Sequence, residues 1–123
     1  MALHWHAYGW IGRERAESKS FDDELPPMEV KLWLRKPRRL IRGTFHEIDK
    51  AVAWMSGELS QYPYPESYGS SDRERLQFVR ETLAQDVGND VVWGWYPNAS
   101  QYVSRALIAC PRTADGIACP EGL

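Results

Sequence analysis

Glu29-Val30-Lys31-Leu32-Trp33-Leu34-Arg35-Lys36-Pro37-Arg38-Arg39-Leu40-Ile41-Arg42-Gly43-Thr44 is the stretch on which the fold turns. By apolar period, 29–34 and 40–44 read as two strands, with Val30, Leu32 and Leu34 on one face. The link 35–39 then forms a hairpin tip. With Lys36-Pro37 as the central turn residues, Trp33 pairs with Leu40, and Lys31, Arg35, Arg38 and Arg42 share their face. A five-residue tip instead pairs Leu34 with Leu40 and moves Arg42 to the face opposite Trp33. Proline fits poorly at the third position of a type I turn, which favours the longer tip. In both registers Arg35, Lys36, Arg38 and Arg39 gather at an exposed end.

Charge makes the same stretch the main functional clue. Residues 31–42 hold six of the fifteen basic residues and no acid, while the rest of the chain carries nine bases against seventeen acids. A net charge of −2 therefore conceals a window of +6 in a remainder of −8. Such a cationic patch suits an anionic partner. Arginine outnumbers lysine four to two there, which favours bidentate contacts with carboxylate or phosphate. The expected contact residues are Lys31, Trp33, Arg35, Lys36, Arg38, Arg39 and Arg42. The expected partner is an acidic protein surface or nucleic acid. Arg73 and Arg80, seven apart on the second helix, would extend the patch. The competing reading is a charged sheet edge that discourages edge-to-edge pairing. A pI near 5.9 argues against general coating of nucleic acid.

Outward from this stretch, Thr44 and Glu47 match a capping box. Phe45, Ile48, Val52, Met55 and Leu59 then form one helical stripe, which Pro63 and Pro65 stop near Gln61 or Tyr62. Gly57 inside it implies close packing or a break. Ser71 with Glu74 opens a second helix with Leu76, Val79, Leu83 and Val87 on its stripe, Phe78 on the flank, and Gly88 at its end. Leu3 to Ile11 reads as a strand with His4, His6, Tyr8 and Trp10 on one face and Leu3, Trp5 and Ala7 on the other. Residues 13–27 form a polar loop. Val91 to Tyr96 is a strand, with Val91, Trp93 and Trp95 on one face. Gln101 to Ala109 pairs back on it as a last strand, or forms a helix from Ser100. The order of elements predicts an α+β fold: a single domain over 1–110, a mostly antiparallel sheet of about four to five strands, and two helices packed on one face. An irregular tail, 111–123, follows.

The chain's 123 residues are 43% hydrophobic and 12% aromatic, enough for a core without disulfide or metal. The aromatic content also makes a homodimer reasonable. There is no apolar run of about 20 residues, so no membrane partner is expected. The N-terminus lacks a basic and apolar leader, which predicts a cytoplasmic protein; the Asn98-Ala99-Ser100 sequon then carries no weight. Cys110 and Cys119 are expected as free thiols, with a disulfide tying the tail as the other reading.

Catalytic signals are weak. The three histidines, His4, His6 and His46, stand in no triad pattern, and no Gly-x-Ser-x-Gly elbow or phosphate-binding glycine loop exists. Paired carboxylates such as Asp22-Asp23 and Asp72 with Glu74 fall in a loop and a first helical turn, where solvation and the helix dipole suit them. No cofactor is expected. One metal possibility stands: His4-x-His6 aims two imidazoles to one side of a strand, and Cys110 approaches from a neighbour, a set zinc accepts. The chain reads as a small non-catalytic binding or regulatory protein; the alternative is a zinc-dependent hydrolase using His4, His6 and Cys110.

Overall fold

The computed structural model describes residues 3–85 and 89–123. Four strands form one antiparallel sheet in the order β2-β1-β4-β3: β1 His4–Gly12, β2 Gly43–Phe45, β3 Val91–Asn98 and β4 Gln101–Cys110. Between β2 and β3 lie two helices, α1 Ile48–Gln61 and α2 Asp72–Leu83. The fold is α+β, as expected, and β4 is a strand throughout.

The sheet separates two packed layers. On one face Trp5 and Ala7 of β1 and Leu107 and Ala109 of β4 meet Ala51, Val52 and Met55 of α1 and Val79 and Leu83 of α2. On the other, Tyr8, Ala106 and Ile108 pack under Trp33, Leu34 and Ile117. The period of two in β1 therefore sends Trp5 to the helices and His4, His6 and Tyr8 to the opposite layer.

Residues 29–44 do not form a hairpin. Val30–Arg35 and Arg38–Leu40 are short 3₁₀ turns, and only Gly43–Phe45 joins the sheet, beside β1. Trp33 and Leu34 are adjacent and both buried. Alternation on a strand cannot bury neighbours on one side, but a 3₁₀ turn, with Val30 and Trp33 three apart, can. Trp33 stacks on Tyr8, with ring centroids 4.8 Å apart and planes 16° from parallel.

Helix caps divide the same way. Ser71 and Glu74 make the expected capping box of α2. At α1 the box does not form: the N-cap is Glu47, without a side-chain bond. Thr44 lies instead in β2, paired with His6. α1 ends at Gln61, ahead of the prolines, and runs unbroken through Gly57, where an added Cβ would meet nothing within 4 Å. The glycine thus marks neither close packing nor a break. The positions expected of Val87 and Gly88 lie outside the described residues.

The 13–27 loop has a fixed centre. The Lys36 ammonium is buried in it and donates to Ser18 Oγ, the Ser20 carbonyl, the Asp23 carbonyl and Asp23 Oδ1, at 2.6 to 3.0 Å. A second buried charge, Arg105 on β4, faces Glu58 of α1, with Nε 3.2 Å from Oε1. That contact is close enough for an ion pair, though not aligned as a hydrogen bond; Arg105 Nη1 donates to the Ser104 carbonyl. No described helix is long and apolar enough to cross a membrane.

Candidate functional site

The six cations of 31–42 have unequal fates. Lys36 is 3% exposed and occupied by the loop. Lys31 reaches Asp115 of the tail at 3.4 Å. Trp33 is 1% exposed, a core residue that offers no surface to a partner. Arg35, Arg38, Arg39 and Arg42 are all exposed. Among the described residues none of these four has an acidic partner within ion-pair distance. The segment is thus pinned from below by Trp33, Leu34 and Lys36, and its guanidinium groups point outward. Arg80 does not extend the patch, because it pairs with Asp49 of α1.

A second cluster lies at the far end of the same sheet face. The antiparallel register sets His4 directly opposite Cys110, with His6 two positions along β1 on the same side. The tail returns over this face, carrying Ile117 into the core and Cys119 to the imidazoles. The donor atoms of His4, His6, Cys110 and Cys119 all lie within 4.8 Å of one another. Cys119 Sγ stands 3.7 Å from His4 Nε2 and 3.5 Å from His6 Nε2. The two rings meet edge-to-face at 88°, and His46 stacks against His4 at 5.1 Å. Three of the four donors are buried and Cys119 is half-buried.

The orientation of His6 is held from behind. Its Nδ1 lies 3.0 Å from Thr44 Oγ1 and 3.2 Å from Glu121 Oε1, and Thr44 donates its hydroxyl to that same carboxylate. A carboxylate only accepts, so Nδ1 carries the proton and the Nε2 lone pair faces the cluster. Burial, reinforced by the neighbouring His4, lowers the His6 pKa to about 4, which keeps the ring neutral near pH 7. Burial, together with a hydrogen bond that the Cys110 thiol donates to Cys119, pushes that thiol up to about 12.

Sequence reasoning paired His4, His6 and Cys110 but missed Cys119 and Glu121. The available signal was that the chain's only two cysteines accompany a His-x-His. Beside His46 an open hollow of about 660 Å³ is lined by Leu3, Trp5 and Ile48 with the charges of Glu47, Lys50 and Arg80. That lining contains no paired nucleophile and base.

Comparison with protein-family models, with curated proteins and with solved structures finds no match to this chain.

Proposed function

We propose that the chain is a small non-catalytic binding protein that engages an anionic partner through Arg35, Arg38, Arg39 and Arg42. One observation carries this reading: four neighbouring arginines are exposed without a described acidic partner, on a segment whose two lysines and tryptophan are committed internally. A rigid mount spares the partner the entropy of ordering the segment. The guanidinium fork suits phosphate or carboxylate oxygens. Protection of the sheet edge involves Arg42 alone, which adjoins the edge strand β2; Arg35, Arg38 and Arg39 lie in the 3₁₀ turns that pack over a sheet face.

The hydrolase alternative fits less well. A catalytic zinc keeps a coordination position for water, whereas four protein donors would fill a tetrahedral sphere. A native pull-down with untagged protein, with and without nuclease, tests the binding reading and separates nucleic acid from a protein partner. Capture by the wild type that is lost in the Arg35, Arg38, Arg39, Arg42→Ser variant supports it. Capture that survives in the folded variant contradicts it.

A further inference from the structure

We propose that His4 Nε2, His6 Nε2, Cys110 Sγ and Cys119 Sγ bind one Zn²⁺ in a closed tetrahedral site that fastens the C-terminal tail to the sheet. This site is independent of the arginine reading and lies outside it.

Geometry carries the proposal. With Zn–S near 2.3 Å and Zn–N near 2.0 Å, the N···S edges of a tetrahedron are about 3.5 Å long. The observed His6–Cys119 and His4–Cys119 distances are 3.5 and 3.7 Å. All remaining donor separations lie under 4.8 Å, so small side-chain rotations close the sphere. The donors come from three separate parts of the chain, two from β1, one from the end of β4 and one from the tail. Their convergence is therefore a product of the fold and not of local spacing.

Chemistry selects the metal. Two thiolates and two imidazoles form a soft, tetrahedral set suited to zinc. Two thiolates would balance the dication, leaving a neutral centre in a largely buried position. Glu121 and Thr44 already supply the carboxylate–histidine support that zinc-ligating imidazoles receive.

The consequence is mechanical. Cys119 stands two residues beyond Ile117, which packs in one cluster with Trp33 and Leu34. Asp115 of the same tail reaches Lys31. A metal at the cluster thus holds down the segment that supports the arginine-bearing turns.

Full-length protein purified under reducing conditions is assayed for bound metal, then stripped with a chelator and titrated with Zn²⁺ and with Co²⁺. The proposal expects one zinc per chain, a rise in thermal midpoint on adding Zn²⁺, and a cobalt spectrum with tetrahedral d–d bands and thiolate charge-transfer bands. Glu121→Gln should weaken zinc binding about 10- to 100-fold, and Cys119→Ser should weaken it further. A folded wild type that carries no zinc and whose midpoint is unmoved by Zn²⁺ overturns the proposal. So does iron in place of zinc, or a cobalt spectrum without thiolate bands. If Cys119→Ser fails to fold, the wild-type titrations still decide.

Discussion

His6 Nε2 lies 3.5 Å from Cys119 Sγ, across 113 positions of sequence. That approach places the tail on the sheet face that also carries the 29–42 segment. One layer of the molecule therefore joins the His/Cys cluster, Ile117, Trp33 and the exposed arginines, while the two helices stabilise the opposite face.

Trp33 is a structural support of this layer. Trp33→Ala should cost about 3–5 kcal/mol, the usual range for emptying a buried aromatic site. Urea unfolding measures it. A loss near zero, with partner binding reduced, would instead make the indole a contact residue.

The Lys36–Asp23 pair gives stability a defined pH dependence. Hydrogen bonding to the Lys36 ammonium, the largest influence, holds the Asp23 carboxyl well below the usual carboxylate range. A lowered folded value stabilises the protein above the unfolded pKa, about 4. That contribution fades as pH falls toward the folded value. The Asp23 side chain is 30% exposed, so screening keeps the effect modest. The wild type should exceed Asp23→Asn in stability near neutrality, and the gap should narrow on acidification below about pH 4. Denaturant titrations across that range follow the gap; one that widens on acidification would refute the assignment.

Arg105 is 1% exposed and depends on Glu58 for charge compensation. Glu58→Ala should destabilise by about 3 kcal/mol, because removing one partner leaves a buried charge. Glu58→Gln, which keeps an acceptor, should cost less. Losses near zero in both variants, read by denaturant midpoints, would show that the charge is immaterial.

Gly57 sits exposed in the middle of α1, with open space around a would-be Cβ. Gly57→Ala should stabilise by about 0.5–1 kcal/mol. Thermal and urea unfolding both report it, and a destabilised variant would reveal packing or a bend that the helix does not show.

What was legible in the sequence followed local period. The stripes through Val52, Met55 and Leu59, and through Val79 and Leu83, predicted the faces that α1 and α2 bury. Alternation in β1 placed His4 and His6 on one side, and the strand reading of 101–109 then allowed Cys110 to approach. Non-local partners account for the failures. Lys36 resembled a hairpin-tip cation until Asp23, thirteen positions upstream, enclosed it. Trp33 and Leu32 looked like alternating strand residues, yet packing against Tyr8 selected a 3₁₀ turn. Thr44 matched a capping motif, but pairing with His6 in the sheet recruited it first. Cys119 sat in a tail with no periodicity, so its place at the cluster depended on tertiary folding alone.

The claim that the four arginines form the partner-binding surface is tested most directly by salt-dependent polyanion binding. An oligothymidylate and a poly-glutamate peptide are titrated against three proteins. These are the wild type, the Arg35, Arg38, Arg39, Arg42→Ser variant, and a variant of equal charge carrying Arg13, Lys50, Arg73, Arg80→Ser. The account predicts binding of at least one probe by the wild type, with affinity falling as salt rises. It also predicts loss of that binding in the first variant and near-complete retention in the second. Equal losses in both folded variants, or no binding of either probe by the wild type, would contradict it.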